Sequence, residues 1–158
     1  MKIVLRALLI AFVALIVGVS YNLISEDGIN PFKCFGGDHD ISLDSRAITD
    51  INIAIDAFEK ARAVFIDTRS SEEYKEAHIP GALNASYFYM ERAYAFISEK
   101  IHTTDLLILY GEDSMDIAPV RTADYYEHLG FNRVRILYGG LERWINEGLP
   151  VERNIENE

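Results

Sequence analysis

Three short apolar runs constrain the fold of this chain more than any other feature: AVFID (63–67), LLILY (106–110) and RVRIL (133–137). AVFID and LLILY are continuous rather than alternating, the pattern of strands buried on both faces. Such strands leave no side for water, so helices must cover the sheet above and below. The intervening segments have the right period. Ile51, Ala54, Ile55, Phe58 and Ala61 follow a helical spacing, with Thr49 or Asp50 placed to cap it. Ser70 and Glu73 stand at capping-box spacing, HIPGA (78–82) breaks the helix they open, and LNAS leads into a further strand or edge. Longer helices are predicted over 87–100 and 117–129, the second closed by Gly130. Gly139 and Gly140 turn the chain into LERWINE, which Gly148 and Pro150 end. Strands separated by helices imply right-handed crossovers and a parallel sheet, hence an α/β fold.

At 158 residues the chain has room for one ordinary core. Its formal charge of -10 disfavours non-specific attraction to nucleic acid or anionic headgroups. The N-terminal stretch is different in kind. Lys2 and Arg6 precede ALLIAFVALIVGVSYNLI (7–24), and Glu26 and Asp27 follow it. As a helix this run spans about 27 Å, close to a bilayer core. The charge asymmetry puts the N-terminus in the cytoplasm and everything after residue 24 outside, in a periplasmic or extracellular space. A secretory signal ending near Gly18 and Ser20 is the competing reading, which would release the domain by cleavage. The organisation expected is therefore a signal-anchor or transmembrane segment (1–24), a linker (25–46) with Pro31, Gly36 and Gly37, a domain (47–152) and an acidic tail (153–158).

FIDTRSSEEYKEAHIPGALN (65–84) resembles the first signature of the rhodanese-like domain family, and VRILYGGLERWINEGLP (134–150) resembles its closing signature. The likeness covers residues 47–150. It implies a parallel five-stranded sheet flanked by helices. It also implies sulfur transfer through a persulfide on a cysteine that directly follows a strand, with phosphatases of this fold carrying a cysteine at the same place. Asp67 and Arg69 match positions that border the pocket in the family, although an ion pair holding the turn is their simpler role.

The strand-to-helix loop after LLILY is where that chemistry belongs. A thiolate nucleophile needs its pKa lowered by backbone amides or nearby cations, and the same amides must cradle an anion. This chain has Gly111 there, followed by Glu112, Asp113, Ser114, Met115 and Asp116. Three carboxylates in such a loop repel an anion and would raise a thiol's pKa. Asp116 is placed to cap the helix from Ile117, and Pro119 suits its first turn. Arg121 is counted with Asp67 and Arg69 at the pocket rim, although at ten positions after Gly111 it lies too far along that helix to be equated with an anion-binding loop arginine. A partner- or cation-binding rim is the functional alternative for the loop.

No cofactor and no metal centre is expected. Cys34 is the single cysteine, so no intramolecular disulfide forms. With Asp38, His39 and Asp40 it makes only a weak metal-ligating set. His78 reads as a turn residue, His102 and His128 as surface groups, and Leu141, Trp144 and Ile145 as core. The chain thus reads as a membrane-anchored, catalytically inactive rhodanese-like protein that binds a protein, a membrane or redox protein among the options, or a ligand. The alternative is a sulfur carrier or sulfurtransferase working through Cys34 or a partner's thiol.

Overall fold

In the computed structural model, which describes residues 41–153, the apolar runs become the middle of a five-stranded sheet. In chain order the elements are β1 (Ala47–Ile48), α1 (Ile51–Glu59), β2 (Val64–Asp67), α2 (Ser71–Glu76), β3 (Leu83–Asn84), α3 (Met90–Ile97), β4 (Leu107–Tyr110), α4 (Ala118–His128), β5 (Val134–Leu137) and α5 (Gly140–Asn146). The strand order is β1-β5-β4-β2-β3 and every pairing is parallel. β4 is therefore central, and its four residues are all buried.

The pleat sorts the strands' side chains into two cores. Ile66, Leu107, Leu109, Val134 and Ile136 pack with Ile97 of α3 and Ala123 and Tyr126 of α4. On the other face Phe65, Ile108, Tyr110 and Leu137 pack with Ala54 and Ala57 of α1 and Leu141 and Trp144 of α5. Trp144 meets Phe58 and Phe65 edge-on at 5.3 and 5.7 Å between ring centroids, and its indole N–H donates to the Pro150 carbonyl at 2.9 Å. The aromatic body fills the core while its one polar atom is satisfied.

Local chemistry fixes the helix ends. Asp50 caps α1 by accepting from the Asn52 amide, and Ser70 and Glu73 form the reciprocal capping box of α2. Gly130 ends α4 at φ +93°, where a side chain would be strained. Two elements depart from the sequence reading. The helix expected over 87–100 opens as a 3-10 turn (Tyr87–Tyr89) and is α-helical only in α3. The edge strand β1 is two residues long, too short to carry a period of its own.

Among the described residues no helix is long and apolar enough to cross a membrane. The apolar run 7–24, the linker up to residue 40 with Cys34, Asp38, His39 and Asp40, and the tail from 154 lie outside the described residues.

Candidate functional site

Gly111 leaves the carboxyl end of the central strand and is buried. Its φ is not in the left-handed range, so the backbone there does not itself demand a glycine. The constraint comes from Asp116. A Cβ at position 111 would lie 2.7 Å from the Asp116 Cγ, so that carboxylate occupies the space where a side chain would begin. Asp116 is held by hydrogen bonds. Its Oδ2 accepts from the Glu112 amide at 3.1 Å and its Oδ1 from the Ala118 amide at 2.9 Å. Asp113 does likewise, its Oδ1 accepting from the Met115 amide at 2.7 Å. Three loop amides thus already bind carboxylates of the loop itself. The helix starts one residue later than read, with Ile117 as its N-cap and no side-chain cap bond, while Asp116 lies just outside it and ties the Glu112 amide to that of Ala118.

The start of α5 supports the loop. The Leu141 and Glu142 amides donate to the carbonyls of Gly111 and Glu112, both at 2.9 Å. That close approach needs Gly140: with φ +55°, a Cβ there would meet the Gly111 carbonyl oxygen at 2.5 Å and the Glu112 carbonyl carbon at 2.7 Å.

Asp67 and Arg69, at the end of β2, flank the same loop. Asp67 is fully buried and Arg69 is 7% exposed. The Arg69 backbone N–H, Nε and Nη2 donate to the Asp67 carboxylate at 2.9, 3.1 and 2.7 Å. Its Nη2 also donates to the Ala77 carbonyl at 2.6 Å, and its Nη1 to Glu112 at 2.7 Å. The guanidinium is thus consumed internally, in an ion pair that also ties β2 to the loop. Burial pushes the Asp67 carboxyl up from its ordinary value, against the pull of Arg69. For Arg69, burial opposes the charge, yet the bonds to Asp67 and Glu112 outweigh it and hold the pKa above the ordinary value. The Thr68 hydroxyl donates to the Tyr110 carbonyl at 3.0 Å, closing the junction between β2 and β4.

The comparisons with known proteins agree with this architecture. The family model for the rhodanese-like domain matches residues 51–147, most of the described fold. The chain belongs to the rhodanese-like domain family. A relative, an uncharacterised protein of Buchnera aphidicola subsp. Acyrthosiphon pisum, is 30% identical over 100 residues, covering 62% of this chain and 66% of that protein. Among solved structures, the BH2092 protein of Bacillus halodurans is 25% identical with a TM-score of 0.62, covering 79% of this chain and 88% of its own. A Rhodanese_3 like domain from the Alr3790 protein of Anabaena sp. is 24% identical with a TM-score of 0.53, covering 61% and 97%.

In this rhodanese-like domain Arg121 and His78 take no part in the hydrogen bonds of the loop. Arg121 is exposed on α4, and its side chain makes no hydrogen bond or ion pair among the described residues. His78 is buried, stacks on Tyr74 at 3.8 Å between centroids and donates through Nδ1 to the Tyr74 carbonyl at 2.7 Å, so it serves the turn. Among the described residues no cluster of His, Cys, Asp or Glu is arranged to hold a metal.

A neighbouring feature escaped the sequence reading. Between the start of α2 and α3 lies a cleft of about 800 Å³, lined by Ser70, Asn84, Ser86, Phe88, Tyr89 and Phe96 among others. Phe88, Tyr89 and Phe96 are 75%, 68% and 75% exposed. The Tyr87 amide donates to the Thr68 carbonyl at 2.9 Å, so this aromatic segment abuts the β2 junction beside the Gly111 loop. The signal was the aromatic density of YFYMERAYAF (87–96). Phe88 and Tyr89 stand in the 3-10 turn and Phe96 on the exposed side of α3.

Proposed function

We propose that this protein is a catalytically inactive rhodanese-like domain, anchored in a membrane by its N-terminal segment, that acts by binding a protein partner. One observation carries the inactive reading: the Asp116 carboxylate fills the position of the missing nucleophile and takes the Glu112 and Ala118 amides that an anionic sulfur group would need. Glu112 and Asp113 add negative charge, and Arg69, the adjacent cation, is spent on Asp67 and Glu112. The exposed aromatics Phe88, Tyr89 and Phe96 support a binding role, since aromatic anchors dominate protein interfaces. The run 7–24 and its flanking charges support the anchor.

Thiosulfate-to-cyanide transfer by the purified full chain tests the inactive reading. Thiocyanate formation is expected to equal the no-protein control, for wild type and for Cys34→Ser alike. Turnover that survives Cys34→Ser would overturn it, and turnover lost with Cys34→Ser would assign sulfur transfer to the linker thiol. Retention in the pellet after alkaline carbonate extraction is the outcome expected of the anchor, and release into the supernatant would remove it. In-cell photocrosslinking from position 96 should yield a discrete protein adduct that Phe88→Ser abolishes.

A further inference from the structure

At the opposite end of the sheet from the Gly111 loop, β5 breaks a rule of its architecture. A strand inside a parallel sheet covered on both faces is expected to be apolar throughout. Arg135, in the middle of β5, is exposed although its neighbour in register on β4, Ile108, is fully buried. The helical layer is therefore open over this corner. The opening is a cavity of about 770 Å³ beneath α1, within the size range of small-molecule sites.

Its lining has two chemistries. Ile53 of α1 and Leu106, just before β4, give an apolar wall, with Ala57 and Ile108 buried behind it. Arg133 and Arg135 add two guanidinium groups. Of the other charged residues at the cavity, Arg46 and Glu127 pair with each other, whereas Asp50 is bonded only to neutral groups. Arg46 pairs with Asp44, Asp124 and Glu127 at 2.7, 2.9 and 3.1 Å, and Asp50 accepts from the Asn52 backbone and side chain at 3.0 and 2.9 Å. Arg133 has only the Thr104 carbonyl at 3.5 Å, and Arg135 has no side-chain hydrogen bond or ion pair among the described residues. Arg133 and Arg135 thus bring two guanidiniums without carboxylate partners to one cavity, in a chain of formal charge -10.

We infer that this cavity binds an organic oxyanion with an apolar body, its charged group between Arg133 and Arg135 and its body against Ile53 and Leu106. Guanidinium groups recognise carboxylate, sulfonate and phosphate oxygens through paired N–H donors, and the apolar wall adds affinity that a bare inorganic anion cannot gain. The site is separate from the Gly111 loop and does not depend on the reading of that loop.

The test uses 8-anilinonaphthalene-1-sulfonate as probe, added to the full chain in amphipol with amphipol alone subtracted. Energy transfer from Trp144, the single tryptophan, reports binding. Saturable transfer is expected, weakened about tenfold or more both by Arg135→Gln and by replacing the probe with N-phenyl-1-naphthylamine, which lacks the sulfonate. Arg121→Gln, an exposed arginine elsewhere, should leave the titration unchanged, and inorganic phosphate should compete only weakly. No saturable transfer, equal binding of the charged and uncharged probes, or an unaltered titration with Arg135→Gln would each overturn the assignment.

Discussion

Restoring a cysteine at Gly111 in a Cys34→Ser background gives the most informative perturbation. The backbone accepts the substitution because Gly111 has an ordinary φ. The obstacle is the Asp116 carboxylate, whose Cγ lies 2.7 Å from where the new Cβ must go. Moving it gives up its bonds to the Glu112 and Ala118 amides, about 1 kcal/mol each at this partly exposed loop. A loss of about 2 kcal/mol lowers the Tm of a domain this size by roughly 8 °C. The displaced carboxylate stays near the thiol. At about 4 Å and an effective dielectric of 20 it opposes the thiolate by ~4 kcal/mol, raising the thiol from about 8.5 to roughly 11. Iodoacetamide alkylation followed against pH should show that late midpoint, with thiosulfate-to-cyanide transfer at background. The double variant Gly111→Cys, Asp116→Ser removes the charge and frees both amides, so its midpoint should return to 8.5 or below. Fast alkylation of the single variant at pH 7, an unchanged Tm and full sulfur transfer would together refute the claim that Asp116 occupies the site.

Further outcomes follow from the same contacts. Asp116→Ala alone should destabilise the domain by about 1–2 kcal/mol, and sulfate should then raise its Tm more than it raises that of wild type, because the released amides can take an external anion. Arg69→Leu strands the fully buried Asp67 and should cost about 3–5 kcal/mol in urea unfolding at neutral pH. Burial holds the Asp67 pKa above its unfolded value, so its protonated form favours folding: that contribution is fully present below the unfolded pKa and lost as pH rises through the folded one. The Arg69→Leu deficit should therefore shrink on acidification, and a deficit independent of pH would remove Asp67 as its cause. Asp44 runs the other way. The hydrogen bond from Arg46 lowers its pKa, so its stabilisation is present above the unfolded value and lost as pH falls through the folded one. Asp44→Asn should cost about 1 kcal/mol at pH 7 and flatten the acid limb of an unfolding series between pH 5 and 2.

Sequence and structure agree best where one residue's neighbours are local. The capping box at Ser70 and Glu73, the Asp50 cap and the glycine ending α4 depend on positions within a few residues, and each lies where the pattern put it. The central strands were legible because burial on both faces leaves a continuous apolar run. β1 was not, because two residues carry no period and their place is set by pairing with β5, some ninety positions away. The loop was half legible. Its acidity could be read directly, but the folding of Asp116 back over Gly111 depends on a turn geometry that residue types do not specify. The Arg69 contact to Glu112 joins residues 43 positions apart, beyond any spacing rule, and no period in residue type marks the 3-10 turn that holds Phe88 and Tyr89.

The clamp at Gly140 separates recognition from reaction. That glycine is needed because the backbone of α5 rests on the carbonyls of Gly111 and Glu112, a demand that is indifferent to whatever side chain the loop presents. Asp67 and Arg69 act in the same way from the other side, bracing the loop through Glu112. Both signatures by which a chain of this family is recognised are thus foundations of a platform. They certify that a loop is held at a fixed height above the central strand, and they carry no information about whether anything reactive stands on it.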